Sequence, residues 1–190
     1  MDGAAADAAV VFGVILGTGV GGGIVVRGHV LTGPNALAGE WGHNPLPWAE
    51  PGERPGPRCY CGRTGCIEAF LSGPALSADY ERSAGRSLTA REIVARAESG
   101  EPHADAALTR YEGRLARGLA SIVNVLDPDV IVLGGGMSNT PRLYERIPRL
   151  WIPHVFAAGA AADHVRTRLA PARHGASSGV RGAAWLWPAR

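Results

Sequence analysis

The run Cys59-Tyr60-Cys61-Gly62-Arg63-Thr64-Gly65-Cys66 limits what this chain can become more than any other stretch of it. It holds all three cysteines of the sequence. An odd number of thiols cannot pair off, which argues against a secreted disulfide framework. Three thiols this closely spaced instead match the way a metal ion collects its ligands. Gly62 and Gly65 let the backbone wrap tightly enough for three sulfurs to converge. One imidazole would complete a tetrahedral zinc site; His43 lies upstream, and His29 is also within reach. Four protein ligands close the coordination sphere, so the expected zinc is structural rather than catalytic. Such a metal also explains how residues 33–67, rich in Gly, Pro and Trp and without periodicity, form an ordered connection.

The remaining pattern is mixed α/β. Val10–Leu16 is a β-branched apolar run and predicts a buried strand. Residues 17–23 read as a turn, Ile24-Val25-Val26 as a second strand, and Val30-Leu31 as a third, making a hairpin or meander. Helices are expected over 68–71 and 74–83, then from a cap at Ser87 or Thr89 through Ala97. The clearest helix covers 103–126, where Leu108, Tyr111, Leu115, Leu119, Ile122 and Leu126 recur at steps of three or four. Asp127-Pro128 stops it. Val130–Leu133 predicts a buried strand, followed by a helix near 141–150, a strand near 165–169 and a last helix over 179–187. The tryptophans 41, 48, 151, 185 and 187 are assigned to core or interface.

Two glycine clusters point to a nucleotide. Gly17-Thr18-Gly19-Val20-Gly21-Gly22-Gly23 lies between two strands, where bare backbone N–H groups can form a concavity for phosphate oxygens. It lacks the Gly-Lys-Ser/Thr of a P-loop and leads into a strand, not a helix, so neither a Walker nor a Rossmann motif applies. A plain tight hairpin is the competing reading. Gly134-Gly135-Gly136 ends a buried strand, where open α/β sheets bind ligands. Carboxylates bracket the cysteine loop: Glu40 precedes His43 and Glu68 follows Cys66. Ionised carboxylates only accept hydrogen bonds and so suit the many hydroxyls of a sugar. A metal on one nitrogen of His43 would leave the other for such a hydroxyl.

Bulk properties close off other classes. The 190 residues suit one domain, and 46% hydrophobic content argues against disorder. Net charge is +2 with no basic stripe, so nucleic acid is not an expected partner. The first residues carry no positive segment, and Ala8–Leu16 is too short to span a membrane. A cytoplasmic protein is expected.

Gly39-Glu40-Trp41-Gly42-His43 and Cys59 through Glu68 together resemble the two signature segments of the repressor/kinase (ROK) family. The likeness runs along essentially the whole chain. Asn44-Pro45-Leu46-Pro47-Trp48, Asn124 through Ser138 and Ser178 through Trp187 are most similar to bacterial fructokinases that also act on mannose. The resemblance implies a ribonuclease H-like, actin-type ATPase fold, here a single C-terminal lobe over 1–190 with an inserted zinc and sugar loop at 33–68. It implies ATP and Mg²⁺ as cofactors and phosphorylation of a hexose, fructose or mannose, at O6. The ATP site would include Gly17, Thr18, Gly19, Gly21 and Gly22, with Gly134, Gly135 and Gly136 near the adenosine. Glu40, His43 and Glu68 would contact the sugar, and zinc would take His43, Cys59, Cys61 and Cys66. Family kinases begin with another lobe carrying an Asp-x-Gly-Gly-Thr loop and an Asn-Asp-x-Asn segment whose Asp is the base. Neither pattern occurs in these residues, so the base is expected upstream of Met1. This makes an inactive zinc- and sugar-binding fragment the main alternative, followed by an N-acetylglucosamine or glucose kinase and then by a repressor. The full-length form is expected to be a homodimer. The helix over 179–187 resembles one that packs towards the first lobe, so Trp185, Leu186 and Trp187 are expected to make the chain adhesive or dimeric.

Overall fold

Glycine and β-branched residues decide where the sheet forms, and one long helix covers it. The computed structural model describes residues 3–156 and 165–175; the helix expected over 179–187 lies outside them. Strand β1 (Val10–Leu16) pairs antiparallel with β2 (Val20–Val26), Phe12 facing Ile24 and Leu16 facing Val20. Strand β3 (His29–Val30) continues the meander at the edge. On its other side β1 runs parallel to β4 (Val130–Gly134), and β4 runs parallel to β5 (Arg168–Pro171). The order is β3-β2-β1-β4-β5.

Two strand starts differ from expectation by three residues or more. Strand β2 begins at Val20, so Gly21, Gly22 and Gly23 are strand residues and the turn shrinks to Gly17-Thr18-Gly19. Glycine weakens a strand but permits close backbone approach, and this is how Gly22 is used. A Cβ there would meet the Phe12 ring at 2.8 Å and Gly39 O and Trp41 at 3.0 Å. Strand β5 starts three residues later than the Val165 expected from the sequence, where Arg168 comes into parallel register with Val130.

The helices follow their caps. Helix α1 (Glu68–Leu71) leads directly into α2 (Gly73–Ala84), capped by the Ser72 hydroxyl on Ala75 N. Thr89, not Ser87, caps α3 (Ala90–Glu98) through a reciprocal bond with Glu92. Helix α4 (Pro102–Leu126) is 25 residues long and buries Leu108, Tyr111, Leu115 and Leu119 completely. Asp127, with φ of 47°, ends it. The Asp129 carboxylate then accepts from Ala9 N and Val10 N at 2.9 and 2.7 Å, tying the start of β4 to that of β1. Helix α5 (Pro141–Leu150) is pinned to α4 by Arg142 and Arg146, which reach the fully buried Glu112.

The main core lies between the sheet and α4: Phe12, Val14 and Leu16 of β1 and Ile131 and Leu133 of β4 belong to one buried cluster with the helix stripe. Trp41 and Trp151 are buried as expected, whereas Trp48 is half exposed against His154. No helix among the described residues is long and apolar enough to cross a membrane.

Candidate functional site

The long loop crosses β2 through glycines that admit no side chain. Gly42, inside the 3-10 turn Trp41–His43, presses on the strand so closely that a Cβ would lie 2.0 Å from Val20 O. The Trp41 ring is held edge-on against Phe12, its Nε1 donating to Gly21 O at 3.0 Å. Glu40 and His43 flank this buried anchor, so their positions are set by the sheet. Farther along, Glu53 is gripped by two arginines of α4. Arg114 Nε donates to it at 2.8 Å, Arg117 adds a second contact, and both guanidiniums are almost wholly buried. Burial alone would raise the Glu53 pKa. The Arg114 hydrogen bond, the Glu50 N–H and the two positive charges outweigh burial and hold it below the ordinary carboxylate value.

The cysteine run closes on His43. A ring nitrogen of His43 and the three sulfurs of Cys59, Cys61 and Cys66 all lie within 4.8 Å of one another. Cys59 Sγ is 3.5 Å from His43 Nδ1, and Cys61 Sγ is 3.6 Å from Cys66 Sγ. A tetrahedron with Zn–S bonds of about 2.3 Å has edges of roughly 3.8 Å, so the four donors fit a zinc ion. His29 takes no part; its ring bonds to Arg27 O. The thiols are unequal: the Arg63 backbone N–H lowers the Cys61 pKa, whereas burial and the neighbouring sulfurs push Cys66 up to about 12.

Around this cluster lie the expected carboxylates. Glu68 opens α1, and its Oε2 accepts from Val20 N at 2.8 Å, at the foot of the glycine turn. Glu40 is exposed at the start of the Trp41 turn. The second nitrogen of His43 is not free. Tyr60 Oη lies 2.9 Å from Nε2. The charges of Glu68 first, then burial, Cys59 and Glu40, raise the Tyr60 pKa. Tyr60 carried no signal in the sequence beyond its place inside the cysteine run.

On the far side of the glycine turn a cleft of about 980 Å³ opens. Gly17, Thr18 and Gly136 of the two glycine clusters line it. Gly135, with φ of 83°, lets the end of β4 abut β1, since a Cβ would lie 2.5 Å from Leu16 O. Gly19 and Gly134 border the turn and the strand end without lining the cleft. Gly21 and Gly22, expected at the phosphates, lie in β2 beneath Trp41 and line no part of it. The opposite wall was invisible in the sequence. It comes from the starts of α2 and α3, with Gly73, Pro74, Ser77, Thr89, Arg91 and Val94. Gly73 N donates to Gly17 O at 2.7 Å and fixes that wall against the turn. A glycine turn beside helix N-termini favours an anionic ligand.

A five-stranded sheet with an antiparallel meander, two parallel crossover strands and this cleft at the hairpin turn is the ribonuclease H-like, actin-type ATPase fold. The chain belongs to the ROK family, whose profile matches residues 1–190. It is 42% identical over 184 residues to an N-acetyl-D-glucosamine kinase of Salmonella paratyphi B, covering 93% of this chain and 58% of that protein. Among solved structures it resembles the ROK hexokinase of Thermus thermophilus at 35% identity and a TM-score of 0.80, covering 96% of this chain and 58% of that one. A ROK glucokinase of Streptomyces griseus in complex with glucose and AMPPNP is 25% identical with a TM-score of 0.81, covering 95% and 61%. The chain thus spans a little over half the length of these relatives.

Proposed function

We propose that this chain supplies the hexose pocket and one wall of the nucleotide cleft of an ATP-dependent sugar kinase. The observation that carries the reading is the Glu68 carboxylate on Val20 N. That bond joins the carboxylate–imidazole cluster to the glycine turn, so a sugar held by Glu40, His43 and Glu68 would lie next to phosphates held at Gly17, Thr18 and Gly19. In the reaction a sugar hydroxyl attacks the γ-phosphorus, the bond to the ADP oxygen breaks, and the hydroxyl proton passes to a base. Positioning and charge stabilisation, with Mg²⁺ on the phosphates, supply most of the rate in such transfers. Zinc on His43, Cys59, Cys61 and Cys66 would fix the loop and the imidazole tautomer; with four protein ligands it has no open position for substrate.

The sugar is a hexose. The loop sequence favours fructose, with transfer to O6, while the Salmonella relative is named for N-acetylglucosamine and the Streptomyces structure holds glucose. The test is calorimetry of the zinc-loaded chain with D-fructose, D-mannose, D-glucose and N-acetyl-D-glucosamine, and with AMPPNP and Mg²⁺, followed by ADP release on mixing with ATP. Binding of one hexose and of AMPPNP is the expected result. Failure of every hexose and of the nucleotide to bind would refute the reading.

A further inference from the structure

Tyr60 sits where the hexose reading needs a vacancy. Its hydroxyl is 2.9 Å from His43 Nε2, and its ring meets the imidazole edge-on with centroids 5.1 Å apart. Yet Tyr60 is 82% exposed, among the most exposed large side chains described. Little covers it, and it can swing into solvent at small cost. The other imidazole nitrogen faces Cys59 Sγ within the cysteine cluster. A zinc ion on Nδ1 would leave the proton on Nε2, which would then donate to the Tyr60 oxygen. One hydroxyl therefore already occupies the imidazole nitrogen assigned to the sugar.

We propose that Tyr60 is a displaceable stand-in for a sugar hydroxyl, which keeps His43 Nε2 paired until a hexose replaces it and so sets which sugars bind. The inference rests on the hexose reading of this site. The bond lies at the exposed rim of the site, so the phenol competes with water as well as with sugar for Nε2. Displacement then exchanges one hydroxyl oxygen for another at Nε2, with little net gain. A ligand must bring a hydroxyl to the imidazole and further donors to Glu40 and Glu68 before it wins. A sugar lacking the matching hydroxyl leaves Tyr60 in place.

The test compares the zinc-loaded protein with Tyr60→Phe, which keeps the ring edge and removes the hydroxyl. Titration calorimetry with the four hexoses above gives affinity. Nitrogen NMR of the histidines follows His43 Nε2, and metal analysis checks the loop. Tyr60→Phe is expected to bind its preferred hexose about three- to tenfold more tightly, the weight of one ordinary hydrogen bond. Its zinc content should equal that of the parent. The Nε2 resonance should shift in Tyr60→Phe before sugar is added and return towards the parental position when sugar binds, whereas in the parent it should move little on binding. Unchanged or weaker hexose affinity overturns the inference and makes Tyr60 a bystander or a direct sugar contact. Loss of zinc in Tyr60→Phe overturns it too, because Tyr60 would then be a prop of the metal loop. Failure of both proteins to bind any hexose removes the underlying hexose reading as well, an outcome distinct from binding with equal affinity.

Discussion

Gly42→Ala tests whether the sheet positions the sugar loop. The added Cβ would lie 2.0 Å from Val20 O and 3.0 Å from Val20 C, against 3.4 Å for ordinary contact. The shortfall at the oxygen is 3.4 − 2.0, or about 1.4 Å. The obstacle is backbone, so no rotamer change relieves it. Val20 cannot retreat easily either, being paired with Leu16 and bonded through its N–H to Glu68. The turn must lift, drawing Trp41 away from Phe12 and Gly21 and moving Glu40 and His43 with it. Overpacking typically costs 1–3 kcal/mol, and a backbone clash puts this one near the upper end, about 3 kcal/mol. With a urea slope of about 2 kcal/mol/M, the unfolding midpoint should fall by about 1.5 M. Displacement of the ligand groups by roughly 1 Å should also weaken hexose binding at least about tenfold. Gly52→Ala is the control: it lies in the same loop with nothing within 4 Å of its Cβ, and it should stay within about 0.5 kcal/mol of the parent. A Gly42→Ala protein with parental midpoint and hexose affinity would refute the idea that β2 sets the loop.

Zinc loading of the metal-free protein should release at least about one proton per ion near pH 7, because Cys66, pushed up to about 12, is a thiol until the metal displaces its proton; zinc affinity should therefore rise with pH, and calorimetry in buffers of different ionisation enthalpy reads the count. Glu53→Gln breaks a buried pair with Arg114 and Arg117 and should cost about 3 kcal/mol in urea unfolding. Since the folded pKa of Glu53 lies below its unfolded value, its stabilisation is present above the unfolded pKa and is lost as pH falls through the folded one, so acid unfolding should be shallower in the variant. Ala95→Trp places an indole in the cleft and should abolish AMPPNP binding while zinc content stays at the parental level. Chelation of the metal should weaken AMPPNP binding severalfold although no metal ligand lines the cleft, as titration before and after chelation will test.

The parts of this structure legible in the sequence are those specified locally. The β-branched run of β1, the three-to-four spacing of α4 and the Asp127 stop each carry their own signal. The metal cluster was legible because three of its four donors fall within eight residues. Gly21 and Gly22 misled because glycine in a sequence looks the same whether it frees a turn or admits a neighbouring chain; only Trp41, about twenty residues on, distinguishes the two. Glu68 was picked as a sugar ligand from its position after Cys66, but its bond to Val20 spans 48 residues and no local pattern encodes it. The Glu53 clamp left one usable trace: Arg114 and Arg117 lie among the apolar residues of α4, where a buried guanidinium requires a carboxylate from elsewhere. The cleft wall left none, since the starts of α2 and α3 meet the turn only through tertiary packing.

The eight residues from Cys66 to Gly73 tie the cysteine loop to the cleft. Cys66 belongs to the metal cluster, Glu68 holds Val20 at the far side of the glycine turn, and Gly73 N holds Gly17 O at the near side. Between them lies α1, only four residues long, whose Phe70 and Leu71 are buried. Tyr111 of α4 donates to Leu71 O at 2.9 Å, anchoring this short helix to the core. A segment so short, fixed at both ends and at its middle, has little slack to absorb a shift at Cys66. Moving the sulfur moves Glu68 or breaks its bond, and either change reaches the turn proposed to hold the phosphates. By contrast, Cys59 and Cys61 lie within the turn closed by the Arg58–Thr64 bridge. Of the three cysteines, Cys66 is therefore the one whose displacement would reach the cleft, through Glu68 and Gly73, while His43 would reach β2 separately through Gly42.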